Sequence, residues 1–168
     1  MVDTGAQDGT MGIQTYMKFL DALNNRGYQP VYWRTNGEVV GGVGGNSKVL
    51  LIADCPVRIA GRDAILRLFV LEDPSPETTI PGLMPGIMLE SLDISINCGD
   101  PSLQIRGENA RYGCRRTQSG HMFYDVLRFS AVEPGEALMG PPWKLPQHWE
   151  EYSRYRESYP NDKSRNPF

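Results

Sequence analysis

The sequence predicts a mainly β fold with one helix near its N-terminus, and three observations carry the prediction. Eighteen glycines and thirteen prolines in 168 residues supply turns at a density that suits short strands better than a helix bundle. The stretches 47–60 and 91–107 alternate apolar and other residues with the period of a strand. Only 12–26 repeats its apolar residues at helical steps.

Composition narrows the function classes. Hydrophobic residues at 40% and charged residues at 22% describe an ordinary folded chain, long enough for one domain with a real core and an appendage. A net charge of −3 gives no general attraction to nucleic acid or anionic lipid. No apolar run reaches membrane-spanning length and the N-terminus lacks a signal-peptide pattern. Cys55, Cys98 and Cys114 are odd in number and form no CxxC pair. They read as buried thiols of a reduced, intracellular compartment, and they argue against a zinc site. His121 and His148 are the only imidazoles, which leaves little material for a Ser-His or Cys-His enzyme. No cofactor or metal is expected.

Taken in order, the chain opens on "MVDTGAQDG". Asp3 precedes a small hydroxyl residue, Thr4, and Gly5. A carboxylate there can be held by backbone N–H groups and a neighbouring hydroxyl. From these residues alone it is either a simple Asx-turn or the seat of a reactive acid. In 12–26, Ile13, Tyr16, Met17, Leu20 and Leu23 make one apolar helix face, closed by Gly27. In "VVGGVGGNSKV", 39–49, four glycines around one valine cannot pack a core and suit a mobile hairpin tip. A phosphate cradle is the weaker reading, because a strand follows where a Walker loop needs a helix.

In 47–60 the spacing puts Val49, Leu51, Ala53, Cys55, Val57 and Ile59 on one strand face, with Pro56 at a bend or edge. A second strand is expected over 64–73, after a turn at Arg62 and Asp63. In 91–107, Leu92, Ile94, Ile96 and Cys98 point inward, and a Gly-Asp-Pro turn returns the chain through Leu103 and Ile105. A short hairpin around 118–121 is expected to join the sheet. Beyond Glu133 the chain turns rich in Pro, charge and aromatics, so 1–133 reads as the domain and 134–168 as an extended, partly helical tail.

Together, "DTGA", "GGVGG", "IAGRDAILRLFVLED" and "GIMLESLDISINCGDPSLQI", in this order, resemble the retropepsins, the single-domain aspartic proteases of retroviruses and retrotransposons. The resemblance runs from about Val2 to Ile105. It implies a closed β-barrel with Asp3 as catalytic aspartate and Thr4, Gly5 and Ala6 completing its loop. It further implies Gln7 and Asp8 as substrate-binding residues and Gly41, Gly42, Val43, Gly44 and Gly45 as a flap. The helix after the loop is more like that of the retrotransposon branch than of the retroviral one. Two departures stand out. In "GLMPGIML", 82–89, which precedes the family's short helix, Pro85 replaces the family's glycine and Ile87 its polar residue. Only Met1 and Val2 precede Asp3, where the family has a whole strand. The chain therefore reads as a fragment of a longer open reading frame or a displaced start.

Peptide hydrolysis by carboxylates needs two, one ionised and one protonated. The chain holds a single Asp-Thr-Gly; Asp54, Asp63, Asp93 and Asp100 lie in other contexts. The second carboxylate is expected from a second copy in a homodimer, with extended polypeptide as substrate. The competing reading is a catalytically inert barrel kept as a binding or assembly module. A third, single-stranded nucleic acid on Arg154, Arg156, Lys163 and Arg165 among Trp149, Tyr152 and Tyr155, yields to a solvated helix because Glu150, Glu151 and Glu157 are interleaved.

Overall fold

The computed structural model describes residues 1–128 other than Thr4, Gly5, Gln7 and 42–44, and the backbone alone of Asp3. The expected tail, 134–168, lies outside the described residues. The elements run β1 (Val2–Asp3), β2 (Gly9–Gly12), α1 (Ile13–Asn24), β3 (Val31–Trp33), β4 (Val39–Gly41), β5 (Asn46–Ile59), β6 (Arg62–Leu71), β7 (Met84–Pro85), α2 (Gly86–Ser91), β8 (Ile94–Asn97), β9 (Ser102–Ile105), β10 (Arg111–Gly113), β11 (Arg115–Arg116) and β12 (Met122–Phe123). The fold is mainly β.

A long hairpin, β5 with β6, organises the molecule. β5 pairs β6 antiparallel from Ile59↔Arg62 to Val49↔Leu71. β2 adds to β6 in parallel and β3 to β5 antiparallel, giving the order β2-β6-β5-β3. β8, β9 and β10 form a separate antiparallel sheet. Among the described residues no sheet closes on itself, so the expected closed barrel is not what these strands build. Layers cover the hairpin instead. One face, with Leu51, Ala53, Cys55, Val57 and Ile59 opposite Ala64, Leu66, Leu68 and Val70, packs on Tyr16, Leu20 and Leu23 of α1 and on Met88, Leu89, Ile94, Leu103 and Ile105. At Tyr16 the hydroxyl meets Tyr32 Oη at 3.2 Å, and burial pushes both phenols above their ordinary pKa.

The other face holds two cross-strand ion pairs separated by Pro56 and Ile65. Asp54 lies opposite Arg67 and Arg58 opposite Asp63. Arg67 Nε and Nη2 donate to Asp54 Oδ1 and Oδ2, each at 2.7 Å, and Trp33 Nε1 donates to Oδ2 at 2.9 Å. The Arg67 guanidinium also lies 5.2 Å from the centre of the Trp33 ring. Beyond this lies a second apolar cluster of Trp33, Val49, Ile52, Phe69, Leu71 and Ile80.

Several expectations need correction. Val49 joins this second cluster, not the face of Leu51, because β5 spends two residues on one step of β6 between Val49 and Leu51. This bulge reverses the inside–outside alternation and leaves Leu50 39% exposed. The β5–β6 turn is Ala60 and Gly61, both at positive φ (49° and 77°), as a two-residue primed hairpin turn requires; Arg62 and Asp63 already belong to β6. Strand 91–107 begins late, because α2 and a positive-φ Asp93 occupy its first residues. β8 ends at Asn97, so Cys98 falls in the β8–β9 turn and is exposed, Cys114 is half-buried, and Cys55 alone is buried. The 118–121 hairpin forms a two-stranded sheet of β11 and β12 without joining the larger ones. Pro56 does lie at a local edge. The Arg58 N–H, two residues on and on the same side of the strand, bonds Val126 O at 2.8 Å, whereas β3 ends opposite Asp54.

Candidate active site

Asp3 ends β1, which lies parallel to β7 with Val2↔Met84 and Asp3↔Pro85 in register. Past Asp8 the chain continues as β2, parallel to the last part of β6 from Gly9↔Leu68 to Gly12↔Leu71. The segment 80–85 runs between these two limbs. Met84 N–H donates to Met1 O at 2.8 Å, Leu83 N–H to Thr10 O at 2.7 Å, and Gly12 N–H to Ile80 O at 3.1 Å. The Met1 ammonium donates to Gly82 O. The loop after Asp3 is thus clamped at both ends by one extended segment, which fixes the separation and direction of its limbs.

Two close approaches make this possible. A Cβ on Gly9 would stand 2.4 Å from Arg67 O, and one on Gly82 2.5 Å from the Met11 methyl; a side chain at Gly9 would meet rigid backbone. The α1 N-terminus is tied to the same segment by Asp73. Its Oδ2 accepts from Gln14 N at 2.9 Å and its Oδ1 from Ile80 N at 2.8 Å. Gly12, at the N-cap, has no side chain to do this. The role of Asp73 was hidden in the sequence, since it caps a helix that begins sixty residues earlier; only the missing acceptor at Gly12 hints that one must come from elsewhere.

The remaining predicted residues are placed as follows. Ala6 is half-buried and Asp8 exposed, on the limb leading to β2. Thr4, Gly5 and Gln7 lie outside the described residues. β4 and the start of β5 form a hairpin, Val39↔Lys48, Val40↔Ser47 and Gly41↔Asn46. Gly41 and Gly45 are exposed at its end and Gly45 has φ of 127°; Gly42, Val43 and Gly44 lie outside the described residues. Val40 anchors the hairpin by packing on the Trp33 cluster. Of the other acids, Asp54, Asp63, Asp93 and Asp100 each face an arginine: Arg67, Arg58, Arg106 and Arg111. Among the described residues no group of three or more His, Cys, Asp or Glu stands close enough to hold a metal.

No protein-family model matches the chain, and no curated protein does. Among solved structures, the chain is similar to EIAV protease complexed with the inhibitor HBY-793, at 22% identity and a TM-score of 0.38, over 58% of this chain and 78% of that one. A likeness of that size assigns no activity.

Proposed function

We propose that the chain is an aspartic endopeptidase domain of retrotransposon type, acting as a homodimer with one Asp3 from each copy. The observation that carries this reading is the clamped loop: segment 80–85 grips both limbs of the turn that begins at Asp3. Such a grip suits a loop that must hold a carboxylate at a fixed place against a second, identical loop. Asp54, Asp63, Asp93 and Asp100 each face an arginine, which supports a reading in which the partner acid is Asp3 of a second copy. Two carboxylates about 3 Å apart share one proton. The ionised one takes a proton from water while the protonated one polarises the scissile carbonyl. Thr4, Gly5 and Ala6 shape the loop. Gln7, Asp8 and the glycine-tipped hairpin at 41–45 hold extended polypeptide, in a reduced, cytoplasmic setting.

Asp3→Asn keeps size and hydrogen-bonding reach but removes the proton acceptor. Peptide cleavage is expected to vanish while dimerisation persists, and wild-type activity to peak at acidic pH and rise faster than linearly with enzyme concentration. Equal cleavage by Asp3→Asn would defeat the assignment. One feature favours the inert-module reading. Pro85, which cannot donate a backbone hydrogen bond, pairs in register with Asp3. A wild-type chain that dimerises and binds peptide without cutting it would establish that reading.

A further inference from the structure

An apolar cavity of about 450 Å³ opens on the side of the fold where α1, segment 79–84 and segment 123–127 meet. Met11, Phe19, Ala22, Leu83, Met84 and Val126 line it, and Lys18 stands at its rim. The outer side of the clamp segment forms one wall of it, but neither Ala6 and Asp8 nor the 39–48 hairpin lines it. One wall is the piece of chain that leads out of the domain, and that piece is firmly held. Tyr124 Oη accepts from Ala60 N at 3.1 Å, Val126 O accepts from Arg58 N at 2.8 Å, and Leu127 is buried. Residues 129–168 therefore start at the edge of the cavity.

We propose that this groove is the docking site of the chain's own aromatic segment, 149–155, with Trp149 as the inserted side chain. The volume and the apolar lining suit a large ring. Trp149, Tyr152 and Tyr155 recur every three residues, the spacing by which one helix face enters an apolar groove. Glu150 and Glu151 beside Trp149 bring opposite charge to Lys18. The tether decides the occupant. Roughly 20 residues separate Arg128 from Trp149, a reach of about 25 Å for a flexible chain. A tether of that length holds the segment at an effective concentration in the millimolar range, so a contact too weak to recruit a separate protein is filled in cis. The inference is independent of the proteolytic reading.

The test uses the full chain. Trp149→Ser with Tyr152→Ser alters only the tail. Amide hydrogen exchange over 15–22 and 123–127 should then accelerate about tenfold while exchange in β5 and β6 stays unchanged. From the groove side, Ala22→Glu should raise tryptic cleavage after Arg154 and Arg156 by a similar factor. If Ala22→Glu does not fold, the tail variant decides alone, because it leaves the domain sequence intact. Unchanged exchange in the tail variant overturns the proposal. So does protection that grows with protein concentration, since a second copy would then supply the segment.

Discussion

Asp54→Leu would test what holds the second face of the central hairpin. The Asp54 carboxylate accepts three hydrogen bonds, two from Arg67 at 2.7 Å and one from the Trp33 indole at 2.9 Å. Both charged side chains are almost wholly out of solvent, at 7% and 1% exposure. Removing one member of such a pair leaves the other buried without its counter-charge, at a cost of about 3–5 kcal/mol. The indole N–H loses its acceptor as well. A domain of this size has about 5–15 kcal/mol in all, and with a urea dependence of about 2 kcal/mol per molar the midpoint should fall by about 2 M. Arg67→Met should cost a comparable amount, for the mirror-image reason. The double variant Asp54→Leu with Arg67→Met removes both charges and should be more stable than either single variant. Urea denaturation of the four proteins, followed by far-UV circular dichroism, measures the cycle. If the double variant loses the sum of the two single losses, the pair is not coupled and the account of this face is wrong.

Three other outcomes follow from the geometry. Gly9→Ala should destabilise by about 1–3 kcal/mol through its collision with Arg67 O, seen as a lower Tm and faster hydrogen exchange in β2 and β6. Asp73→Ala should cost about 0.5–2 kcal/mol by uncapping α1, whereas Asp73→Asn, which keeps an acceptor, should lose less. Stability should fall with alkaline pH. Burial, aided by the Asp54 carboxylate, pushes the Cys55 thiol well above its ordinary value of 9.0, and burial raises the Tyr16 phenol above 10.0. The unfolded chain therefore releases these protons first, and each group removes up to about 1.4 kcal/mol per pH unit, Cys55 above pH 9 and Tyr16 above pH 10. Cys55→Ala should flatten the decline between pH 9 and 10, and an unaltered slope in chemical denaturation would count against the assignment to Cys55.

The sequence was most legible where one period ran unbroken. The α1 helix occupies Ile13–Asn24 within the expected 12–26, and β6 occupies Arg62–Leu71 against an expected 64–73. Legibility failed where a local event interrupts the pattern. At Leu50 one extra residue reverses the facing of Val49, and periodicity cannot reveal a bulge that preserves the apolar composition on both sides. At 91–93 the end of the short helix α2 and the left-handed Asp93 consume residues that alternate like a strand. β3 escaped notice because three residues carry no period, although Trp33 proves to anchor the second cluster. For the site, the carboxylate at Asp3 and the glycine hairpin stand out by composition. The clamp does not, because 80–85 grips residues 1–12 through backbone atoms, which any sequence possesses. The ion pairs were visible only as charged residues inside strands, and their partners follow from the hairpin register.

That one supernumerary residue also sets a direction. A bulge bends its strand and sharpens the twist, and Leu50 sits next to the last β6 pairings of β5, Val49 with Leu71 and Lys48 O with Glu72 N–H, where β5 passes into the arm it shares with β4. The arm leaves the body at an angle chosen by Leu50. Deleting it would keep Val49 opposite Leu71 and Leu51 opposite Val70, so every side chain would retain its side of the strand. The aim of the arm would change, and with it the seating of Val40 on the Trp33 cluster. Position 50 is thus a steering point, where the course of the arm can be altered while the facing of β5 on β6 stays the same.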